Sequence, residues 1–166
     1  AGIAWGDARN YARWLGKELP TEAQWEKAAR GEQAFNHPWG NGRALWTRPR
    51  SQDQIDAIKS HISDVSVYGV YDLAGNVREW CLDWYSDQGH REAAGKGASE
   101  VINWEGVKYP SSPNLRVVKG NGPHWNAAHR SGMDLGERSP AIGFRCVLRL
   151  QAEAEPPETK SRRREF

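Results

Sequence analysis

The most informative segment of this 166-residue chain is Gly69-Val-Tyr-Asp-Leu-Ala-Gly-Asn-Val-Arg-Glu-Trp-Cys-Leu-Asp-Trp84. Two acids, Asp72 and Glu79, stand seven positions apart around a turn at Gly75. Hard cations such as calcium prefer oxygen ligands, and such a turn can add main-chain carbonyls to the two carboxylates. From the spacing alone, a calcium loop and an ordinary turn with two solvated acids both remain open.

The composition indicates one loop-rich α+β domain. The chain has 17 Gly, 9 Pro and 9 Trp, a set rich in turns and aromatic anchors that argues against a helical bundle. A net charge of +2 calls for neither nucleic acid nor a membrane surface as partner. No apolar run approaches the roughly 20 residues that span a bilayer.

The ends of the chain have a different character. We predict a domain over residues 1–150 and a charged tail over residues 151–166, where Glu, Pro, Lys and Arg dominate. The first residues show no signal-peptide pattern and resemble the middle of an element, so we expect an N-terminally truncated fragment and assign no compartment.

Two helices are predicted. Apolar spacing from Ala8 to Leu15 favours a short helix that Gly16 ends. Thr21 and Gln24 have the spacing of a capping box for a second helix, which ends near Gly31. The expected buried face of the second helix consists of Trp25, Ala28 and Ala29.

Alternating or β-prone runs predict extended segments at residues 65–71, 77–84, 115–119 and 143–150. The run Pro38-Trp39-Gly40-Asn41 predicts a tight turn. Residues 86–114 are punctuated by Gly, Ser and Pro, and we expect a long surface loop there.

Four blocks resemble the sulfatase-modifying-factor, or formylglycine-generating-enzyme, family in that family's order. They are Leu-Pro-Thr-Glu-Ala-Gln-Trp-Glu-Lys-Ala-Ala-Arg-Gly at 19–31, Pro-Trp-Gly-Asn at 38–41, the segment at 69–84, and Gly-Phe-Arg-Cys at 143–146. The resemblance implies a C-type-lectin-like α+β fold with short mixed strands, two helices and long irregular loops.

The family's founding activity uses oxygen and a copper ion held by two cysteines to convert a sulfatase cysteine to formylglycine. An ungapped comparison of residues 116–130 places Trp125 and Arg130 at the two cysteine positions. Copper(I) needs soft thiolate ligands, which neither residue supplies. We therefore predict no catalytic residues and no enzymatic activity.

The resemblance also implies a structural Ca²⁺ as cofactor. The family's ligands correspond to the side chain of Asp72, the carbonyls of Gly75 and Val77, and the carboxylate of Glu79. All four positions are chemically suitable here.

The two cysteines of the chain, Cys81 and Cys146, lie at block ends that are predicted to be extended. If the two segments lie side by side, a disulfide is feasible. The alternative is a pair of buried free thiols, as suits a reducing compartment. The sequence leaves both open.

Residues 120–142, in the region where the enzymes do their chemistry, are rewritten with polar, aromatic and charged side chains. This layout resembles the variable proteins of diversity-generating retroelements, in which a region of this fold is mutagenised to produce new binding surfaces. The resemblance implies a non-catalytic ligand-binding domain whose partner is a protein or another macromolecule, and no nucleic acid is expected. The predicted contact residues are Asn121, His124, Trp125, Asn126, His129, Met133, Asp134, Glu137 and Arg138.

Other interpretations remain open. The block at residues 68–80 is also similar to accessory domains of bacterial serine/threonine kinases, and a formylglycine-generating-type oxidoreductase is the enzymatic alternative. Trp46, Trp104 and Trp125 lie outside the scaffold blocks, where each can be a binding hot spot or an anchor for a loop.

Overall fold

A mixed four-stranded sheet organises the chain. The computed structural model describes residues 1–43, 46, 49–51, 54–89, 91, 104, 106–108, 110 and 112–149. The strands β1 (Arg78–Trp84), β2 (Leu115–Lys119), β3 (Arg130–Asp134) and β4 (Ile142–Gly143) lie in the order β3-β2-β1-β4. β2 is antiparallel to both β1 and β3, and β4 is parallel to β1.

Two α-helices flank the sheet, α1 (Trp5–Trp14) and α2 (Glu22–Arg30). A short 3-10 helix follows β2 at Pro123–Trp125. The predicted α+β class, with short mixed strands and two helices, is confirmed. Among the described residues, none of the helices has the length and apolar character needed to cross a bilayer.

The start of α2 is fixed locally, as the sequence predicts. The Thr21 hydroxyl accepts from the Gln24 amide at 3.1 Å, and the Gln24 side chain accepts from the Thr21 amide at 2.9 Å. This reciprocal capping box satisfies two amides that the first helical turn leaves free. The helix ends at Gly31, which has a φ of 66°.

The sheet is buried on both faces because each helix covers one of them. Successive strand side chains point to opposite faces, so Trp80 joins a core cluster with Ala8 and Ala12 of α1. Its neighbour Cys81 joins a second cluster with Trp25 and Ala29 of α2. The centre of β1, Trp80 to Leu82, is therefore apolar on both faces.

Two of the predicted extended segments are mostly not strands. Val65 and Tyr71 form one isolated bridge that closes a turn, in which Gly69 has a φ of 74°. In the described part of the segment 143–150, which ends at residue 149, only Gly143 pairs with β1, and Val147 bridges instead to Glu18 beside α1. The apolar alternation of these two segments reflects single bridges and core contacts, and it does not produce a continuous hydrogen-bonded strand.

The remaining predictions have mixed outcomes. The strands at 77–84 and 115–119 are confirmed as β1 and β2, and the turn at 38–41 is closed by paired His37 and Gly40. β3 is a strand that the sequence did not predict. The tail at 151–166 and most of the predicted 86–114 loop lie outside the described residues.

Candidate ligand-binding surface

The chain leaves β2 through an unusual left-handed backbone. Gly120 has a φ of 84°, and Asn121, His124 and Trp125 have φ values of 52°, 53° and 62°. Left-handed conformations cost non-glycine residues energy and cluster at functional sites. The result is a turn that exposes His124 to solvent while Asn121 is buried.

Trp125 joins an aromatic cluster that draws on three separate segments of the chain. Trp46 meets Trp125 edge-on at 5.5 Å and Trp39 edge-on at 5.0 Å. His37 stacks on Trp39 at 4.9 Å, and its Nδ1 lies 3.0 Å from the Trp125 carbonyl. Edge-to-face packing of this kind fixes ring positions, so the turn after β2 is attached to the loop containing Trp39.

Arg50 lies inside this cluster. Its guanidinium carbon lies over both indoles, 5.0 Å from the ring centroid of Trp46 and 5.2 Å from that of Trp125. Its Nη1 donates to Asp64 at 2.7 Å in a fully buried ion pair. Asp64 in turn accepts from the amides of Ala74 and Gly75, at 3.0 and 3.2 Å. The aromatic cluster is thus joined to the Asp72–Glu79 loop.

The predicted contact residues fall into two patches. The first surrounds the left-handed turn and contains Asn121, His124, Trp125, Asn126 and His129. The second lies at the other end of β3, where the strand rise places Asp134 about 13 Å from Arg130. It contains Asp134, Glu137 and Arg138, which are exposed, and Met133, which packs against the core cluster of α1. Arg138 also pairs with Asp7 of α1 at 2.6 Å.

A buried charge network lies beneath the first patch. Arg130 binds both carboxylate oxygens of Glu22 in α2, at 2.6 and 2.9 Å. Lys119 is fully buried and donates to Glu26 at 2.9 Å. Burial alone would raise the pKa of Glu26, but the charge and hydrogen bond of Lys119, together with Arg30, hold it below its ordinary value. The network ties α2 to β2 and β3.

His129 borders this network. Its pKa is lowered by burial and by the positive charges of Lys119 and Arg78. The imidazole therefore binds its proton less tightly than a free histidine does.

The two residues at the expected copper positions have contacts of other kinds. Trp125 stacks on Arg50, and Arg130 is ion-paired with Glu22. The two cysteines are free: Cys81 is buried in the second core cluster, while Cys146 packs against the first. Burial, followed by the charge of Asp83, raises the pKa of Cys81 well above its ordinary value. Among the described residues, no three His, Cys, Asp or Glu side chains come together as a metal site would require.

The Asp72–Glu79 loop borders a cavity of about 660 Å³. At its base Arg145 binds both oxygens of Glu79, at 2.5 and 2.7 Å, and also donates to the Tyr71 carbonyl at 3.2 Å. Burial would lower the pKa of Arg145, but the charge of Glu79 outweighs it and raises that pKa. The cavity walls include Ile55, Tyr71, Val77 and Phe144.

The donor set of this loop is compatible with calcium in type, since it consists of carboxylate and carbonyl oxygens. Asp72 uses one carboxylate oxygen to accept from the Lys59 amide at 2.7 Å, and none of the described residues donates to its other oxygen. Glu79 shares its carboxylate with Arg145 and with the Trp25 indole. A calcium ion here would therefore share Glu79 with a guanidinium, and the predicted site stays a prediction.

The main element that the sequence did not single out is Arg50 with its partner Asp64. Fourteen positions separate them, and no local pattern links an arginine in a polar segment to an acid in the next. Trp46 could have pointed to this cluster, because a tryptophan outside the scaffold blocks is expected either to bind a ligand or to anchor a loop.

The model of the sulfatase-modifying factor enzyme 1-like domain family matches residues 1–150. The formylglycine-generating enzyme of Thermomonospora curvata is 34% identical over 87% of this chain and 54% of its own length. The inactive C-alpha-formylglycine-generating enzyme 2 of Bos taurus is also 34% identical, over 87% of this chain and 48% of its own. The chain thus spans about half the length of these relatives.

A third relative is the serine/threonine-protein kinase Pkn1 of Chlamydia trachomatis, which is 33% identical over 88% of this chain but only 23% of its own length. Among solved structures, Treponema denticola variable protein 1 has a TM-score of 0.54 and 28% identity, covering 77% of this chain and 46% of that one. PvdO from Pseudomonas aeruginosa has a TM-score of 0.62 at 22% identity, covering 86% and 58%. The predicted C-type-lectin-like fold of the formylglycine-generating-enzyme type is confirmed.

Proposed function

Because this chain belongs to the sulfatase-modifying factor enzyme 1-like domain family, we propose that it is a non-catalytic member that binds a ligand through the surface after β2. One observation carries the proposal. The residues at the expected cysteine positions, Trp125 and Arg130, are a stacked indole and an ion-paired guanidinium. Neither can hold copper(I), which requires soft ligands.

The proposed binding surface consists of the first patch, around the left-handed turn. Its support is a rigid frame, because β2, β3, α2 and the aromatic cluster all hold the turn. Preorganised loops lose less entropy when they bind a partner. The expected partner is a protein or another macromolecule.

Two relatives support this choice over an enzyme. One is named as an inactive formylglycine-generating enzyme, at 34% identity, and one solved structure is a variable protein, at 28% identity. The name of the second agrees with the resemblance to variable proteins that residues 120–142 suggest. We therefore favour the form of a variable binding protein.

An accessory domain of a kinase is the second candidate. It is favoured by the kinase relative, of which this chain covers 23%. A kinase domain encoded upstream in the same gene would establish it.

Genomic copies that differ mainly within residues 120–142 would instead support the variable-protein form, and a single invariant locus would contradict that form.

The decisive experiment on catalysis is a turnover assay. The protein is loaded with copper(I), given oxygen and a cysteine-containing sulfatase peptide, and the peptide aldehyde is measured by mass spectrometry. The formylglycine-generating enzyme of Thermomonospora curvata is the positive control. We expect no aldehyde from this chain, and copper-dependent aldehyde would overturn the non-catalytic proposal in favour of the oxidoreductase.

We also propose a structural Ca²⁺ held by Asp72, Glu79 and the carbonyls of Gly75 and Val77. The ion would fix the loop that borders the cavity.

A further inference from the structure

The segment that follows β4 uses only one of its two main-chain edges. Gly143 pairs with β1, and Val147 exchanges hydrogen bonds with Glu18 at 2.8 and 3.0 Å. Alternate residues of an extended chain direct their N–H and C=O groups to opposite edges. The main-chain groups of Phe144 and Cys146 therefore face the other edge, where none of the described residues binds them.

This open edge has the character of a strand that lacks a neighbour. The sequence of residues 143–150 predicts a strand. Along the same edge, the carbonyl of Ile142 already accepts a hydrogen bond from the Gly2 amide at 2.9 Å. Unpaired N–H and C=O groups on an extended chain are a template for pairing with another segment. The edge at Phe144 and Cys146 is therefore suited to a further strand.

The open edge borders the cavity of about 660 Å³ beside the Asp72–Glu79 loop, which Phe144 also lines. The cavity walls include the apolar side chains of Ile55 and Ile58, which are 48% and 81% exposed. A single exposed apolar residue is ordinary, but two that line one cavity beside an unpaired edge mark an interaction surface.

The charges of the cavity wall give no strong preference for either sign. Carboxylates and cations are nearly equal in number there, and they belong to Asp56, Asp72, Glu79, Lys59 and Arg145. Glu79 is moreover already paired with Arg145. We therefore expect uncharged, apolar side chains to enter the cavity, while main-chain hydrogen bonds supply much of the affinity.

We propose that this groove, formed by the open edge and the cavity, takes an extended apolar segment of a partner polypeptide as an added β-strand. The partner's main chain pairs with Phe144 and Cys146, and its alternate side chains enter the cavity beside Ile58. Such a partner presents an uncharged, β-prone run, for example alternating valine and threonine. The groove is a site separate from the ligand surface after β2, since no residue of the first patch lines the cavity.

The probe is the peptide acetyl-Lys-Val-Thr-Val-Thr-Val-Lys-amide, and its control is the same peptide methylated on its five central amide nitrogens. Methylation keeps the side chains but removes the donors that strand pairing needs. Amide hydrogen exchange of ¹⁵N-labelled protein is followed by NMR. We expect saturating probe to slow exchange about tenfold at Phe144 and Cys146, and the methylated peptide to leave it unchanged. The Val147 amide, which already donates to Glu18, is the internal reference.

Two substitutions at exposed positions test the cavity. Ile58→Ser removes part of the apolar wall, and we expect it to weaken binding of the probe about fivefold. Ile62→Ser is the matched control and leaves binding unchanged, because Ile62 is 66% exposed and does not line the cavity. Since both side chains are exposed, neither substitution removes a residue of the core.

The proposal is overturned if the probe does not slow exchange at Phe144 and Cys146, or if the methylated peptide slows it equally. Equal weakening by the two isoleucine substitutions would likewise reject the role of the cavity. Protection of the two amides that rises with protein concentration in the absence of peptide would assign the edge to a second copy of this chain, and would reject a partner peptide.

Discussion

The Arg145 guanidinium binds both oxygens of the Glu79 carboxylate, at 2.5 and 2.7 Å. The indole of Trp25 donates to the same carboxylate at 2.7 Å. One acid of β1 therefore joins α2 to the segment after β4. Three of the four family-like blocks, at 19–31, 69–84 and 143–146, meet at this carboxylate, which makes it a structural centre of the scaffold.

We expect Glu79→Gln to lower the free energy of unfolding by about 3–5 kcal/mol, because it leaves the Arg145 charge largely buried without a counterion. Urea denaturation measures the loss. Glu32→Gln is the control, since Glu32 is exposed and its ion pair with Lys27 spans 3.6 Å; it should cost less than about 0.5 kcal/mol. A loss below 1 kcal/mol for Glu79→Gln, on the same scale, would contradict the central role of the pair.

The calcium proposal predicts that EDTA lowers the melting temperature and that added calcium restores it. Asp72→Gly should abolish this response, because it removes a ligand at a position where the φ of 58° suits glycine. Lys59→Gly is the matched control, since Lys59 has a φ of 62° and belongs to no predicted ligand set. The site would be contradicted if wild-type protein that carries no bound ion has the same melting temperature with EDTA as with added calcium.

Elements set by neighbouring residues were predictable from the sequence. The capping box of α2 joins residues three positions apart, so its pattern is legible without the fold. β1 was predictable for a related reason, because its β-prone run is read from neighbouring residues, with Trp80, Cys81 and Leu82 at its centre.

Elements set by distant partners were not predictable. β3 contains Gly132, where a Cβ would lie 2.6 Å from the Tyr85 ring, and its polar neighbours give no strand pattern. Its existence depends on pairing with β2. The Arg50–Asp64 pair is likewise visible only when two loops are brought together.

Asp83 predicts an unusual dependence of stability on pH. Burial, together with the charge of Glu22, raises the pKa of its carboxyl from 3.8 to about 6. The folded protein therefore binds this proton more tightly than the unfolded chain, so the Asp83 contribution to stability is lost as pH rises from about 4 to about 6. Above about pH 6 the contribution of Asp83 to stability no longer changes with pH.

Asp83→Asn isolates this effect, because the amide can still accept from the Glu22 amide, which donates to Asp83 at 2.7 Å. Between pH 4 and pH 7, we expect the free energy of unfolding of the variant to rise relative to that of the wild type by about 2–3 kcal/mol, as measured by urea denaturation. Asp87→Asn, at an exposed position, serves as the control. A difference between variant and wild type that is constant with pH would show that Asp83 titrates normally.

The left-handed turn after β2 predicts a backbone effect that is separable from the side chain. His124 is exposed with a φ of 53°, a conformation that asparagine tolerates and a β-branched residue does not. His124→Val should therefore be less stable than His124→Asn by about 1–3 kcal/mol, although both remove the imidazole. The same pair of substitutions at exposed His129, which lacks a positive φ, should differ by much less. Thermal or urea unfolding of the four variants measures the difference in stability between Val and Asn at each position. Equal differences at His124 and His129 would mean that the turn is not held in its left-handed form.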